Sequence, residues 1–331
     1  MTDRDGGIKL DARTVPFPRS ISTEAQNVLR RSVGEDGVPL NARYTMPPVD
    51  DLEGWAAIKA AADKSYTAFA EAVGPSLRSE VETIKAGQAL IHVATPPDEA
   101  YPGCAIIDVH GGAFIAGGGE AARVSARKQS DHLGVRCYGV DYRMPPEYPY
   151  PAALDDCLTT YRLAIKNHEA GKIIVSGRSA GGNMAAAMLL RARDEGLPLP
   201  SALILLSPQV DLTETGDSFE VNRMIDVVLP GSLMTNNRLY AAGTDLSHPY
   251  LSPLFGNLAG FPPTFLQSGT RDLFLSNTVR MHRALRSAGV EAELHVFEAM
   301  PHGGFAGNTP EDLQLLAEIK RFASGRFQFS S

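Results

Sequence analysis

The sequence has 331 residues, of which 44% are hydrophobic and 21% charged, with a net charge of −7 at pH 7. This composition is that of a folded globular chain, and without a basic tract nucleic acid is a poor partner. The first residues contain no apolar signal segment, and no run of about 18 apolar residues predicts a membrane span. We therefore expect a cytoplasmic protein with no membrane span, formed by one large domain with an accessory part or by two domains.

The first 85 residues predict helices. Patterns of helical spacing predict one helix over 21–33 and a longer one over 51–73, which Asp50 or Asp51 can cap. An apolar stripe runs along the longer helix and consists of Leu52, Trp55, Ile58, Ala62, Tyr66 and Phe69. We interpret the stripe as packing surface that also covers a site.

From about residue 88 onward, strand-like and helix-like segments alternate. Apolar runs predict strands at 89–96, 104–112, 135–143, 172–177, 202–208, 264–269 and 292–298. Helices are predicted at 120–134, 152–168, 180–195, 275–288 and 310–324. This alternation predicts an α/β fold with a mostly parallel central sheet and helices on both faces. The stretch 212–250 interrupts the alternation and is interpreted as an insertion that packs with the N-terminal helices.

Ser179 lies in the motif Gly177-x-Ser179-x-Gly181, between an apolar strand and a helix-like segment. A nucleophilic serine at a sharp strand–turn–helix junction needs small neighbours, because the backbone bends tightly there. The motif alone is weak evidence, but its position after a predicted strand strengthens it. We predict that Ser179 is a nucleophile.

A serine nucleophile needs a base and an acid that orients the base. Among the eight histidines, His302 lies in a Pro/Gly loop after the last predicted strand, where an open α/β sheet places its site. Asp272 follows the strand that ends at Gly269, whereas Glu298 and Asp211 fit this geometry less well. The chain order Ser179, Asp272, His302 is that of α/β-hydrolases.

An oxyanion intermediate needs backbone N–H donors close to the nucleophile. The glycine-rich segment 108–114 follows a strand, and its backbone can approach a ligand closely. Ala180, directly after the nucleophile, is expected to supply a second donor. The candidate donors are therefore the N–H groups of Gly111, Gly112, Ala113 and Ala180.

Five motifs in this order resemble the hormone-sensitive-lipase family (bacterial family IV) of esterases, which are α/β-hydrolases with a helical cap. They are HGGAF, DYRMPPEYPYPAALDD, GRSAGGN, GTRDLFLS and PHGGF, and the likeness spans about residues 85–325. The resemblance implies the triad and the oxyanion donors named above, and it gives His110 a supporting role in the oxyanion loop. It also implies a cap built from 1–85 and 212–245, with 86–331 as the catalytic domain. We expect the N-terminal segment to govern substrate choice and not to carry the chemistry.

Arg178, next to the nucleophile, departs from the aspartate or small residue that is usual in such relatives. A guanidinium is costly to bury without an anionic partner. One role is a structural ion pair with Asp141, Glu147 or Asp211. The other is a charge that reaches the pocket, where it would favour a substrate carboxylate or help to stabilise the oxyanion.

These features predict a serine carboxylic ester hydrolase that forms an acyl-enzyme with small to medium acyl esters and requires no metal or organic cofactor. A lactone hydrolase that opens cyclic, terpene-type esters is the alternative within the same chemistry. A non-catalytic small-molecule receptor is a remote third reading, since such receptors have lost the histidine that is present here as His302. Relatives of this kind are often dimers, so the resemblance leaves a homodimer open.

Overall fold

The computed structural model describes residues 8 and 11–328, apart from the side chains of Phe69 and Gln328. Within these residues eight strands form one sheet. They are β1 (Glu80–Ala86), β2 (Ala89–Thr95), β3 (Ala105–Val109), β4 (Arg136–Asp141), β5 (Ile173–Arg178), β6 (Ala202–Leu206), β7 (Thr264–Gly269) and β8 (Ala292–Phe297). Their spatial order is β1-β2-β4-β3-β5-β6-β7-β8.

The sheet is mostly parallel, as predicted. Only β2 runs against its neighbours, pairing in antiparallel register with β1 and with β4. All other adjacent strands pair in parallel. The carboxyl ends of β3, β5, β6, β7 and β8 therefore lie at one edge of the sheet, where ligands bind in open α/β folds.

Helices cover both faces of the sheet. The described helices are α1 (Thr23–Arg31), α2 (Leu52–Val73), α3 (Glu120–Leu133), α4 (Ala152–Asn167), α5 (Ala180–Asp194), α6 (Ser218–Val221), α7 (Met234–Ala241), α8 (Leu275–Ser287) and α9 (Pro310–Gln328). Buried side chains of α4, α5 and α8 form the larger apolar core on one face, and those of α3 and α9 pack on the other. None of the described helices is long and apolar enough to cross a lipid bilayer.

Burial explains the continuous apolar runs of the central strands. Ile173, Ile174 and Val175 of β5 are fully buried although their side chains alternate between the two faces. Burying each such side chain contributes about 1.5–3 kcal/mol relative to leaving it exposed. The central strands thus hold the carboxyl edge of the sheet rigidly in place.

The N-terminal segment differs from the prediction in one respect, because it contains a strand. β1 forms a tight hairpin with β2 and belongs to the sheet, so the predicted boundary between residues 85 and 86 falls inside a sheet strand. The residues of β1 are all exposed or half-buried, and none is fully buried. Such an edge strand lacks the strong apolar signal by which the central strands were predicted.

Helices α1 and α2 begin close to their predicted starts because side chains cap them. Ser22 accepts the N–H of Ala25, and Asp51 accepts the N–H of Gly54. The apolar stripe of α2 is only partly covered: Trp55 is buried, whereas Leu52 is 61% exposed. The two helices pack on different parts of the molecule, as described below.

The stretch 212–245, named here the cap insertion, contains α6 and α7 joined by irregular backbone. Side-chain hydrogen bonds stabilise the irregular backbone between the two helices. Glu214 accepts hydrogen bonds from the hydroxyl of Ser232 and the N–H of Leu233. It also accepts one from the amide of Asn237. These contacts close the insertion on itself.

Candidate active site

Ser179 occupies a sharp turn between β5 and α5, with its backbone in the left-handed region at φ +56°. A Cβ on Gly177 would lie 2.3 Å from the carbonyl oxygen of Gly181, and a Cβ on Gly181 would lie 2.0 Å from that of Val109. Both positions therefore require glycine. This steric requirement explains the spacing seen in the sequence.

Ser179, Asp272 and His302 come together at the carboxyl edge of the sheet. His302 Nε2 lies 2.9 Å from Ser179 Oγ, and His302 Nδ1 lies 3.1 Å from Asp272 Oδ1. All three side chains are buried: Ser179 is 8% exposed, Asp272 0% and His302 7%. We assign the proton to Nδ1, which faces the carboxylate, so that Nε2 can accept the hydroxyl proton of the serine.

Asp272 is held as a carboxylate by the groups around it. Its Oδ1 accepts the N–H of Phe274 at 2.8 Å, and its Oδ2 accepts the hydroxyl of Ser268 at 2.7 Å. Burial alone would raise the pKa of Asp272, but the charge and N–H of His302, with these other donors, lower it below its usual value.

The two other acids considered from the sequence lie elsewhere. Asp211 pairs with Arg280 and accepts the hydroxyls of Thr213 and Thr215. Glu298 is exposed to solvent. Asp272 is thus the acid, of the three considered, that contacts His302.

Residues 110–114, named here the oxyanion loop after the role expected from the sequence, pass directly beside Ser179. A Cβ on Gly111 would lie 3.2 Å from that of Ser179, a contact tighter than side chains usually make, so glycine favours this close approach. Gly112 and Ala113 have φ values of +127° and +51°. In the part of the chain that the structure describes, their N–H groups donate to no other group. Ala180 is the first residue of α5, where N–H groups have no helical partner.

His110, the first residue of this loop, stabilises it through contacts with Gly111 and Tyr142. Its Nδ1 lies 2.7 Å from the carbonyl oxygen of Gly111, and its ring stacks on Tyr142 at 4.1 Å between centroids. The hydroxyl of Tyr142 in turn donates to the carbonyl of His110. Burial lowers the pKa of His110, so the ring stays neutral and its Nδ1 donates to the carbonyl.

Arg178 does not form the ion pair that was considered from the sequence. Asp141 instead faces His92, Glu147 pairs with Lys59, and Asp211 pairs with Arg280 as described above. Arg178 is half-buried, and its Nη1 donates to the carbonyl oxygen of Gly303 at 2.8 Å. The residue before the nucleophile is therefore bonded to the residue after the histidine.

Two residues of the cap insertion contact the site although no sequence motif marks them. Asn222 bonds the backbone carbonyl of Asp272, and the carboxylate of Asp226 accepts the backbone N–H of His302. Both side chains are buried. The segment that contains them, NRMIDVV, follows no catalytic motif, so only the three-dimensional structure reveals the contacts.

A groove of about 770 Å³ lies between the N-terminal segment and the cap insertion, lined by residues from 41–46, from α2 and from 223–235. Ser179 and His302 do not line it. Apolar contacts nevertheless connect the groove to the candidate active site. Ile58 and Ala62 line the groove and pack in one cluster with Ala113 of the oxyanion loop. Leu229 and Leu233 likewise line the groove and reach Ala113 in a second cluster. Among the described residues, no group of three or more His, Cys, Asp or Glu side chains could hold a metal ion.

Comparisons with known proteins agree with this architecture. The family with the alpha/beta hydrolase fold matches residues 106–306. An esterase of Acinetobacter venetianus is 33% identical over 224 residues, which cover 66% of this chain and 74% of that protein.

Two solved structures extend the likeness to nearly the whole chain. The crystal structure of an esterase E25 has 36% sequence identity and a TM-score of 0.89, covering 96% of this chain and 98% of that one. An esterase from the bacterial hormone-sensitive lipase family has 28% identity and a TM-score of 0.76, covering 92% and 99%. These relatives confirm the predicted fold and the predicted enzyme class, that of carboxylic ester hydrolases. The chain thus belongs to the α/β-hydrolase fold and, within it, to the hormone-sensitive-lipase family.

Proposed function

We propose that this protein hydrolyses carboxylic esters by a serine mechanism with Ser179, His302 and Asp272 as catalytic triad. The observation that carries the proposal is the continuous chain of contacts from Ser179 Oγ through the imidazole to the Asp272 carboxylate, at 2.9 and 3.1 Å. Such a buried nucleophile–base–acid arrangement is the geometry that acyl transfer requires.

In the first step, Ser179 Oγ attacks the ester carbonyl carbon while His302 Nε2 takes the hydroxyl proton. Asp272 stabilises the imidazolium that forms and keeps the proton of Nδ1 in place. The tetrahedral intermediate collapses to an acyl-enzyme as His302 gives its proton to the leaving alcohol. Water, activated by the same imidazole, then attacks the acyl-enzyme and releases the acid.

The negative charge of the tetrahedral oxygen needs donors that are already in place. We assign this role to the backbone N–H groups of Gly112 and Ala113, with Gly111 beside them, and to that of Ala180. The N-terminus of α5 adds the positive end of the helix dipole at the same point. Preorganised donors of this kind typically contribute about 3–4 kcal/mol each to the transition state.

Residues 41–73 and the cap insertion act, in this proposal, as a cap that selects the substrate. Ile58 and Leu229 line the groove, and each packs in an apolar cluster with Ala113 of the oxyanion loop. Their apolar side chains therefore suit the acyl chain of a small to medium ester. A lactone would be opened by the same catalytic groups. The substrate panel described next separates the two.

The test of the mechanism is covalent labelling. An organophosphate should add one phosphoryl group, which mass spectrometry should locate on Ser179, and Ser179→Ala should lower kcat by about 10⁴ to 10⁶. Ser176→Ala is the matched control, because Ser176 is a buried serine of β5, the strand that leads into the turn at Ser179, and its side chain forms no hydrogen bond with His302. An adduct on another serine would refute the assignment. p-Nitrophenyl esters of increasing acyl length, compared with medium-ring lactones, would establish the substrate class.

A further inference from the structure

The buried carboxylate of Asp226 has no role in the triad chemistry just described, yet it lies beside both the acid and the base. It is fully buried in the cap insertion. Its Oδ2 accepts the N–H of Leu273 at 2.8 Å, and both its oxygens lie 3.3 Å from the N–H of His302. Its Oδ1 also accepts the N–H groups of Val228 and Leu229. One side chain thus binds the backbone beside the acid, the backbone of the base and the cap insertion itself.

Asn222 completes this arrangement from one helical turn earlier in the chain. Its side-chain amide donates to the carbonyl of Asp272 at 2.7 Å and to that of Thr270 at 3.2 Å. The N–H of Asp226 bonds back to the carbonyl of Asn222, which fixes the two side chains relative to each other. The acid loop (residues 270–274) is therefore held through its carbonyls by Asn222 and through an N–H by Asp226.

Asp226 also places a second carboxylate near a single imidazole. Two titratable groups that act on Asp226 are Asp272 and His302. Burial, followed by the negative charge of Asp272, raises the pKa of Asp226 to about 6, while the charge of His302 opposes this rise. A buried carboxylate with no dedicated cation is expensive. Four N–H donors and the imidazolium of the working enzyme compensate it.

We propose that Asp226, together with Asn222, is a positioning residue through which the cap insertion aligns the acid and the base of the triad and stabilises the imidazolium formed during acylation. This inference rests on the proposed serine mechanism. It assigns to the cap insertion a part in the chemistry in addition to substrate selection. The hydrogen bond to the N–H of His302 sets the backbone from which the imidazole points at Ser179. The contacts at 270, 272 and 273 set the carboxylate that orients the imidazole.

The direct test is Asp226→Asn, which keeps the shape and removes the charge. Alignment is expected to loosen, because one oxygen that accepts N–H groups becomes an amide that cannot accept them. We expect kcat for p-nitrophenyl acetate to fall by about 10- to 100-fold with KM nearly unchanged, as small displacements of reacting groups have effects of this size. The acid limb of the profile of kcat/KM against pH should move to lower pH by about 0.5–1 unit, because the imidazolium loses a stabilising negative charge.

A second variant separates alignment from charge. Asn222→Ala removes the hold on the acid loop and leaves the Asp226 charge, so kcat should fall while the acid limb stays where it is. Should Asp226→Asn fail to fold, Asn222→Ala still tests the alignment. Asp217→Asn is the matched control: it makes the same substitution at an exposed position of the same insertion, and it should match the unmodified enzyme.

The outcomes are distinct from those of the covalent-labelling test. If Ser179 is labelled normally and folded Asp226→Asn keeps the kcat and the acid limb of the unmodified enzyme, the positioning role is wrong and the proposed mechanism stands. An unchanged kcat in Asn222→Ala would likewise contradict alignment by the insertion. A loss of kcat in Asp226→Asn without movement of the acid limb would overturn the electrostatic part. If Ser179 is not labelled at all, it is the proposed mechanism that fails.

Discussion

The two sides of the site are built in different ways. Ser179 is positioned by its own strand and helix, and the close approach of Gly181 to the carbonyl of Val109 fixes the turn sterically. His302 sits on the base loop (residues 299–305), which contains no regular structure. This loop is held by Arg178, by Asp226 of the cap insertion and by the buried face of α1. The nucleophile depends on local geometry, whereas the base depends on contacts from several distant parts of the chain.

This difference predicts where each side is vulnerable. In the sharp turn that carries Ser179 (residues 177–181, named here the elbow), one steric change should be enough to disrupt the site. Removing one contact to the base loop should lower activity only in part, because several independent contacts hold this loop. The following experiments probe this contrast, beginning with the largest expected effect.

Gly181→Ala should lower kcat by about 10²-fold or more, because its Cβ would collide with the backbone of β3 and displace Ser179. The overpacked turn should also lower the free energy of unfolding by about 1–3 kcal/mol. Kinetics and urea unfolding measure the two effects. Gly325→Ala in α9 is the control, since the added Cβ has no atom within 4 Å. Near-normal activity in Gly181→Ala would mean that the elbow tolerates bulk and the contrast is false.

Leu29→Ala should lower the free energy of unfolding by about 2–5 kcal/mol, because a buried leucine leaves a cavity in the cluster formed with Met300 and Phe305 of the base loop. Since this cluster lies under His302, kcat should fall by the same factor for short and long acyl esters. A fall in kcat for esters of only one acyl length would show instead that α1 takes part in substrate selection.

Asp226 should make stability depend on pH. Its folded-state pKa is raised to about 6, above the unfolded value of about 3.9, so it favours the folded state below about pH 4 and this contribution is lost as pH rises through 6. Relative to Asp226→Asn, the unmodified enzyme should lose up to about 3 kcal/mol of stability between about pH 4 and pH 7. Urea unfolding at a series of pH values measures the difference. A constant difference would show that Asp226 titrates alike in both states.

Arg178→Gln should lower kcat by about tenfold, because a hydrogen bond from a charged donor to the carbonyl of Gly303 contributes about 1.5–3 kcal/mol, which a glutamine replaces only in part. The loss should be equal for a neutral ester and for one of similar size with a distal carboxylate. Selective loss on the acidic ester would show instead that the guanidinium contacts the substrate.

Ile58→Ala should have the smallest effect, changing the preference among acyl lengths by about 3- to 10-fold in kcat/KM. Ile58 lines the groove and is only partly buried, so unfolding should change little. Leu29→Ala is the contrasting variant in the same N-terminal segment. If both variants altered kcat equally for all esters, the groove would have no part in selection.

Most of the fold could be predicted from the sequence because its signals are local. The central strands are continuous apolar runs, and their observed bounds differ from the predicted ones by a few residues at most. Strand β1 escaped prediction because an edge strand with one solvated face carries few apolar residues. The positions of Ser179, Asp272 and His302 at strand ends were predictable for the same reason, since parallel topology brings those ends together.

The contacts that hold the base could not be predicted. The acids considered as partners of Arg178 are engaged elsewhere, and its actual acceptor is a backbone carbonyl that no residue identity reveals. Asp226 and Asn222 likewise bind backbone groups. Such contacts depend on how loops are placed in space, and a single sequence does not specify them.

Helix α1 has a further consequence for how the enzyme responds to heat. It has only nine residues, and it is packed through Ala25 and Leu29, together with Ile21 just before it. Ser22, at its start, forms hydrogen bonds with Glu311 of α9. A helix of this length has little stability of its own, so it should detach before the sheet unfolds. The base loop would then lose its support while the elbow remained intact. On heating, catalysis should therefore cease at a temperature at which far-ultraviolet circular dichroism still reports a folded protein, and brief cooling should restore it.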